Sequence, residues 1–407
     1  MSLKNKNVLI TGISGFVGSH MAKHLLHEGA HVYGIDKKSA HSATLGNVRL
    51  LGITGEISIF EGDIQNISSI EYALDQSKPD IVFHLAARSF IPGSFCSPSE
   101  TMGVNCLGTS NLLEAIKSKA LAPVIVFAGS SEEYGLVFAS DSQYQRALKK
   151  YGTIFPPPVA IPELPITEGN PLRPMSPYAV SKVYGDYLMR NYHVCYDLKT
   201  IVSRGFNQEG AGRGSMYVTS TIAHQVMRLK RREIDKIVIG NVNAFRDWSH
   251  INDIVKGYCL LAEKGKYGDV YNQGSQRTNS VLSYLLLSLE CSGYHIDSIV
   301  TIQGKKKVEN PTERDNSEMF GLRFEKTKID KMMLEDKLEF ELSEAGLVAN
   351  TDKGKIIIEF DREKFRPAEV PIWLAGTAKI QELGFHIKYG LNDIINDQLN
   401  YFSEPTQ

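Results

Sequence analysis

The chain has 407 residues, a hydrophobic content of 42% and a formal net charge of −1. This size predicts two or three domains, or one large α/β domain with additions, and the near-neutral charge gives no electrostatic reason to expect nucleic acid or a membrane surface as a partner. The sequence shows no signal peptide, no membrane-length apolar run and no CxxC spacing among its five cysteines. We therefore expect a cytoplasmic protein without a metal site or a disulfide framework.

The first predicted elements form a strand–turn–helix–strand unit. The apolar strand Val8–Thr11 runs into the glycine-rich turn 12–18, and a helix then continues to about Glu28. A second strand, His31–Ile35, ends at Asp36. In such a unit the glycines let the backbone approach a pyrophosphate at the helix N-terminus, and the acid accepts hydrogen bonds from a ribose. The unit predicts a dinucleotide site formed by Gly12, Gly15, Phe16, Val17, Gly18 and Asp36.

The acid at the end of the second strand also bears on which dinucleotide binds. Asp36 favours NAD, because its charge would repel a 2′-phosphate on the ribose. Lys37 and Lys38 follow directly and could bind that phosphate. The sequence therefore favours NAD and leaves NADP open as the alternative.

Strands and helices continue to alternate along the next 170 residues. The predicted strands are Ile57–Phe60, Asp80–His84, Val124–Ala128 and Thr200–Ser203, and the predicted helices include Ser68–Gln76 and Pro98–Lys119. This alternation predicts a doubly wound parallel sheet with helices on both faces, which binds ligands beyond the carboxyl ends of its strands. Four side chains of interest fall at such ends: Asp63, Ala86, Ser130 and Glu132.

A helix beginning near Ser176 carries the most suggestive pair of residues. Ser176 is a good N-cap and Pro177 suits the first helical position. Tyr178 and Lys182 are four residues apart, so they share one face of the helix. A lysine ammonium beside a tyrosine favours the phenolate, which can take a proton from an alcohol. Taken alone, the same spacing also suits a half-buried tyrosine and an exposed lysine on an amphipathic helix.

The second half of the chain has a different character. An irregular, proline-rich stretch spans 136–166, and helices are predicted at 214–231, 251–263 and 278–291. The segments Gly346–Thr351 and Lys355–Phe360 predict a hairpin. We predict a dinucleotide-binding domain at 1–205, with an insert at 136–166, and a second lobe at 206–407, with a β-rich insert at about 301–365. His84, Trp248 and His250 are expected to serve packing rather than chemistry.

Together these motifs resemble those of the extended short-chain dehydrogenase/reductases that act on nucleotide sugars. The resemblance covers about 1–290 and 366–402, and it rests on the glycine turn, Asp63-Ile64, His84-Leu85-Ala86-Ala87, Asn105, Ser130, Tyr178/Lys182 and Arg204/Asn207. Within that family the chain is most similar to the GDP-mannose 4,6-dehydratases, through Met216–Thr219, Gly240–His250 and Arg366–Val370.

The resemblance implies a Rossmann-type α/β fold with a smaller C-terminal α/β lobe that binds the sugar nucleotide, and a homodimer or homotetramer. It implies that NAD or NADP is also bound by Asp63, Ile64, Leu85, Ala86, Ala87, Asn105, Tyr178, Lys182 and Arg204. It implies that the sugar nucleotide is bound by Asn207, Val218, Asn241, Arg246 and Arg366.

The chemistry of dehydration needs one acid/base group beyond Ser130, Tyr178 and Lys182. Once a 4-keto group forms on the hexose, a carboxylate must remove the acidified C5 proton so that water can leave from C6. Glu132, two residues after Ser130, is the candidate. Glu133 competes, although in an extended segment its side chain would point away from the site. A C4-epimerase, a 4-keto reductase or a UDP-glucuronate decarboxylase on the same fold remains the alternative, and a non-enzymatic cofactor-bound protein is a third reading.

Overall fold

The computed structural model describes residues 3–37, 46–341, 343–365 and 369–403. Up to residue 205 strands and helices alternate as predicted. The strands are β1 (Asn7–Thr11), β2 (His31–Asp36), β3 (Ser58–Glu61), β4 (Ile81–His84), β5 (Val124–Ala128) and β6 (Lys199–Gly205). The helices are α1 (Phe16–His27), α2 (Gly46–Leu50), α3 (Ile67–Ser77), α4 (Ile91–Cys96), α5 (Pro98–Met102), α6 (Gly108–Ser118), α7 (Asp141–Tyr151) and α8 (Pro177–Tyr196).

The remainder of the chain is richer in short strands. These are β7 (Asn207–Glu209), β8 (Lys236–Ile239), β9 (Phe245–Arg246), β10 (Trp248–His250), β11 (Val270–Gln273), β12 (Asn279–Ser280), β13 (Ile296–Thr301), β14 (Lys307–Glu309), β15 (Arg314–Asp315), β16 (Glu318–Met319), β17 (Leu322–Arg323), β18 (Lys326–Thr327), β19 (Gly346–Thr351) and β20 (Gly354–Phe360). The helices are α9 (Val218–Lys230), α10 (Ile251–Lys264), α11 (Val281–Cys291), α12 (Lys328–Leu334), α13 (Ala378–Gln381) and α14 (Leu391–Tyr401).

The central sheet has seven parallel strands in the order β3-β2-β1-β4-β5-β6-β11. This is the doubly wound Rossmann-type arrangement that the alternation predicted. Its two faces are covered by helices through separate apolar clusters, one including Met21 and Ile254 and the other Leu112 and Met189. Because the strands are parallel, their carboxyl ends all lie at one edge of the sheet.

A second sheet, of five strands, has the order β14-β13-β19-β20-β8. The predicted hairpin is confirmed as β19 and β20, and β20 pairs in parallel with β8. Phe360 lies opposite Ile239, the last residue of β8. The segments that follow these two strands, 240–241 and 363–365, both reach the lining of one cavity.

Two stretches differ from the sequence-based prediction. The helix predicted at Pro98–Lys119 is interrupted, because a π-helical turn at Gly103–Leu107 separates α5 from α6. The stretch 136–166, predicted to be irregular, contains helix α7. It is anchored by a buried ion pair in which Arg173 Nη2 lies 2.6 Å from Glu163 Oε1. None of the helices in these described ranges is long and apolar enough to cross a bilayer.

The packing roles expected for three residues agree with the structure. Trp248 packs against the ring of Tyr284, and His250 accepts the backbone N–H of Asn252 at the start of α10. His84 is 1% exposed, with Nδ1 2.7 Å from Thr11 Oγ1. Because that hydroxyl already accepts the N–H groups of Leu85 and Ala86, its single proton must go to the imidazole. His84 is therefore held neutral with Nε2 protonated.

Replacing His84 with glutamine is expected to flatten the acid limb of the stability curve. Burial lowers the pKa of His84 to about 3, whereas in the unfolded chain it titrates near 6.5. Only the unfolded state binds the proton in between, so stability falls as pH drops from 6.5 towards 3. When the pH is lowered from 7 to 4.5, the free energy of unfolding should decrease by about 2–3 kcal/mol less in the variant than in the wild type. Urea titrations at both pH values test this, with the exposed His31→Gln as control; equal losses in His84→Gln and wild type would contradict it.

Candidate active site

A cavity of about 1360 Å³ opens at the carboxyl edge of the central sheet. Its lining comes from the turns after β1, β2, β4 and β5 on one side, and from the segments before α9 and after β8 and β20 on the other. Sites for one drug-sized ligand measure about 300–1,000 Å³. The volume is therefore sufficient for two ligands side by side.

The glycine turn forms one end of this cavity. Gly12, Gly15, Phe16, Val17 and Gly18 all line it, as predicted. Gly12 has φ +73°, and a Cβ at this position would lie 2.8 Å from Ala86 Cα. A Cβ on Gly18 would lie 2.3 Å from Gly12 O. Side chains are thus excluded where the turn meets the first residues of α1, which allows a ligand to approach the backbone closely.

Asp36 lies beside this turn at the end of β2. Its Oδ2 accepts the backbone N–H of Ser14 at 3.2 Å and the Ser14 hydroxyl. The neighbouring Lys37 is turned to Asp63, with Nζ 3.0 Å from Oδ2. Lys38 lies outside the described residues. A carboxylate therefore faces the cavity here, and the cation at 37 is engaged elsewhere.

The wall beyond the glycine turn contains Ile64, Leu85, Ala86 and Ala87, as predicted. Two residues expected to contact the dinucleotide stand behind this wall. Asp63 binds Lys37 and the N–H of Gln65. Asn105, on the π-helical turn, accepts the N–H of Arg88 at 2.8 Å and donates to Ser181 Oγ at 2.8 Å. Asn105 thus links the loop after β4 to α8, and neither it nor Asp63 lines the cavity.

Ser130, Tyr178 and Lys182 meet near the middle of the cavity. Ser176 Oγ accepts the N–H of Ala179, so α8 begins as predicted with Pro177 at its first position. Tyr178 and Ser130 are hydrogen-bonded through their side chains. Lys182 Nζ donates to Ala128 O at 2.7 Å and lies 5.8 Å from the centre of the Tyr178 ring. Tyr178 and Lys182 thus share the predicted helix face, and the turn after β5 supplies the serine.

The protonation of this pair differs from the sequence-based expectation. Burial raises the pKa of Tyr178 well above its ordinary value, although the hydrogen bond from Ser130 lowers it. Burial also lowers the pKa of Lys182 to about 8. Desolvation is the largest cause of both pKa shifts, because both groups are removed from water. In this state Tyr178 is a neutral phenol.

The two glutamates after Ser131 have separate environments. Glu132 lines the cavity together with Ser130 and Tyr178. Glu133 is fully buried, and its Oε1 accepts the N–H of Ser130 at 2.7 Å. The segment is not extended, because Ser131–Glu133 forms a 3₁₀ turn. The turn, rather than the alternation of a strand, separates the two carboxylates, and Glu132 is the one that reaches the cavity.

Arg204 connects the elements that carry these groups. Its Nε lies 3.2 Å from Glu133 Oε2 and 2.9 Å from Asp186 Oδ2, and its Nη1 donates to Tyr134 Oη at 3.1 Å. Asp186 lies one turn after Lys182 on α8. Arg204 is 3% exposed and does not line the cavity, so the structure does not bring it to the predicted dinucleotide site. It instead fixes α8 against the 3₁₀ turn.

The residues expected to bind the sugar nucleotide line the opposite side of the cavity: Asn207, Val218, Asn241 and Arg246. Asn207 Oδ1 is buried and has no hydrogen-bond partner among the described residues. Arg246 Nη2 pairs with Glu369 and Nη1 donates to Val370 O. Arg366 lies outside the described residues.

Comparison with known proteins identifies the family. The model for the NAD dependent epimerase/dehydratase family matches residues 8–274. The chain belongs to this family. It is 31% identical to GDP-mannose 4,6 dehydratase 1 of Arabidopsis thaliana, over 82% of this chain and 90% of the relative. It is 28% identical to the GDP-mannose 4,6-dehydratase of Yersinia enterocolitica, over 93% and 88%.

Solved structures support the fold. The UDP-glucose 4-epimerase of Thermus thermophilus, in complex with NAD, matches with a TM-score of 0.66 and 20% identity, covering 97% of this chain and 98% of that one. At this identity the match speaks for the fold alone. An epimerase/dehydratase family member is expected to hold a nicotinamide dinucleotide, and the residues present fit one. The glycine turn, which has no room for a Cβ, suits a pyrophosphate. The carboxylate of Asp36 suits a ribose diol.

The cavity also contains residues that the sequence-based prediction did not assign to it, among them Ser89, Arg213 and Tyr217. The Arg213 guanidinium lies 3.6 Å from the centre of the Tyr217 ring and 5.3 Å from that of Phe16. The contact between Arg213 and Phe16 joins positions almost 200 residues apart, and no local pattern signals it. Tyr217 lies within Met216–Thr219, one of the segments that carried the family resemblance, but a binding role was assigned there to Val218 alone.

Proposed function

We propose that this chain is a nucleotide-hexose 4,6-dehydratase of the GDP-mannose type, which uses NAD(P) to convert its substrate to the 4-keto-6-deoxy sugar. The observation that carries the proposal is the position of Glu132. A carboxylate lines the cavity beside the Ser130–Tyr178 pair, while its neighbour Glu133 is committed to a buried network. The names of the similar relatives, GDP-mannose 4,6-dehydratases, agree with it.

We assign the oxidation at C4 to Ser130, in the turn after β5, and Tyr178, on α8. Tyr178 takes the proton of the C4 hydroxyl, and Ser130 hydrogen-bonds the same oxygen. Lys182, held by Ala128 O, places a positive charge beside the phenol that must ionise. A nicotinamide dinucleotide held at the glycine turn and Asp36 would supply the reversible hydride acceptor that oxidation at C4 and reduction at C6 require.

Glu132 is the general base for the elimination of water. The new 4-keto group acidifies the C5 proton, which the carboxylate removes, and the hydroxyl of C6 leaves as water. Buried Glu133 holds the N–H of Ser130 while Glu132 N–H bonds Ser130 Oγ at 3.2 Å. The base and the serine are thus parts of one rigid turn, which suits two steps on adjacent carbons of one ring.

The cofactor proposed is NAD in preference to NADP. Asp36→Ala should raise the Kd of NAD about 10–100-fold, because the ribose diol loses its charged acceptor. The ratio between the Kd values of NADP and NAD should therefore decrease. Fluorescence titration with both dinucleotides measures this. Ser14→Ala is the matched control, since it removes one contact of the carboxylate and keeps the carboxylate itself. Equal affinity of the wild type for NAD and NADP would reject the preference.

The function is tested by mass spectrometry of the protein incubated with UDP-, dTDP-, CDP- and GDP-hexoses. The expected product from a GDP-hexose has lost one water and carries a 4-keto group. Homodimer or homotetramer assembly and a cytoplasmic location stay predictions.

A C4-epimerase is the second candidate, because the similar solved structures include such enzymes and the Ser130–Tyr178–Lys182 set suffices for it. An unchanged mass with inverted C4 would establish the epimerase. Loss of carbon dioxide from UDP-glucuronate would indicate a decarboxylase, and net reduction of a 4-keto sugar would indicate a reductase.

A further inference from the structure

A hydrogen bond crosses the cavity between its two sides. Tyr217 Oη lies 2.9 Å from Ser89 Oγ. Ser89 belongs to the loop that follows β4 and the wall residues Leu85–Ala87. Tyr217 is the residue before α9, in the lobe that carries Asn207 and Val218. Both residues line the cavity, so the bond joins its cofactor side to its substrate side.

The Tyr217 ring is held by two neighbouring side chains. Arg213 stacks 3.6 Å from its centre, and Phe90 meets it in a T-shaped contact with centroids 6.0 Å apart. Tyr217 also lies close enough to Tyr178 to be one of the neighbours that, after burial, raise its pKa. The hydroxyl of Tyr217 is thus placed near the reacting groups by a ring that is itself fixed.

We infer that Tyr217 and Ser89 form a clasp that retains the oxidised sugar until hydride has been returned. The inference rests on the proposed function. After the first hydride transfer the enzyme holds a 4-keto sugar nucleotide and reduced cofactor. If the sugar leaves then, a nucleotide hexose and NAD have become a free 4-keto nucleotide hexose, NADH and a proton, and the enzyme is left reduced. A bridge from one lobe to the other at the cavity opposes that loss. Tyr217 is a positioning residue in this role.

The test is the number of turnovers completed before the enzyme is left reduced. Tyr217→Phe removes the hydroxyl and keeps the ring that Arg213 and Phe90 contact. Product is counted by mass spectrometry and reduced enzyme by nicotinamide fluorescence. We expect the number of turnovers per reduced enzyme to fall about fivefold, which is the effect of one lost hydrogen bond. The 4-keto nucleotide hexose, not yet dehydrated, should then be found free in solution. Ser89→Ala should match it, and the double variant should be no worse than either.

Tyr184→Phe is the matched control. Its hydroxyl bonds Ser110 Oγ at 2.8 Å, and the side chain is 42% exposed on α8, away from the cavity. This variant should complete as many turnovers as the wild type. A Tyr217→Phe enzyme that also does so overturns the inference, whatever happens to kcat or KM. If the wild type inverts C4 instead of removing water, the dehydratase proposal fails, and the same ratio still decides on the clasp because an epimerase passes through the same 4-keto sugar.

Discussion

Replacing Glu132 with glutamine is expected to abolish dehydration while the first hydride transfer continues. The amide keeps the size and position of the side chain in the 3₁₀ turn but cannot take the C5 proton. Loss of a positioned general base lowers a rate by about 10²–10⁴-fold. Stopped-flow fluorescence should show cofactor reduction on mixing with substrate, and mass spectrometry should show no loss of water.

The control for this variant is Glu363→Gln. It removes the same charge from the same cavity, at the end lined by Lys364 and Phe365, and should dehydrate normally. Normal dehydration by Glu132→Gln would refute the base assignment. Glu133→Gln distinguishes the second carboxylate: it should retain dehydration and lose stability, since Glu133 holds Ser130 and Arg204 rather than the substrate.

Replacing Arg204 with methionine is expected to destabilise the fold by about 3–5 kcal/mol, because it removes the buried cation that Glu133 and Asp186 share. Glu133 and Asp186 are both fully buried and both bind its Nε. Burial and the nearby Asp186 already raise the pKa of Glu133 to about 8, against the opposing effect of Arg204. Urea unfolding monitored by fluorescence measures the change.

A neighbouring arginine gives the comparison. Arg190 Nε also binds Asp186, at 2.8 Å, but its side chain is 33% exposed, so Arg190→Met should cost less than about 1 kcal/mol. Adding Glu133→Gln to Arg204→Met should restore part of the stability, because a neutral amide replaces one of the two buried acidic groups that shared the lost cation. Equal midpoints for Arg204→Met and Arg190→Met would show that the buried network is not the basis of the effect.

The first half of the fold could be predicted from sequence because its signals are local. Buried parallel strands appear in the sequence as short apolar runs. The glycine turn and the N-cap Ser176 mark the starts of the helices that follow them. The interruption at Gly103–Leu107 escaped prediction, since its sequence keeps helical periodicity and the turn is stabilised by partners such as Ser181, 76 residues away from Asn105.

The site was predictable to the extent that spacing decides it. Tyr178 and Lys182 share a helix face wherever that helix lies. Whether Glu132 or Glu133 reaches the cavity depends on a 3₁₀ turn that Arg204 stabilises from another strand, and Arg204 itself matches a dinucleotide-family pattern while serving a structural network. Ser89 and Tyr217, 128 residues apart, meet only through the tertiary fold.

The parallel pairing of β20 with β8 places one end of the cavity away from the reacting groups. The residues proposed for hydride and proton transfer lie on α8 and in the turn after β5 of the seven-stranded sheet, while the far end of the cavity is built where the five-stranded sheet ends, at Asn241 and Phe365. Substitutions or length changes there can alter which nucleotide is accepted without disturbing Tyr178 or Glu132. The hairpin segment is therefore where enzymes of this kind can diverge in substrate while the reaction is inherited unchanged.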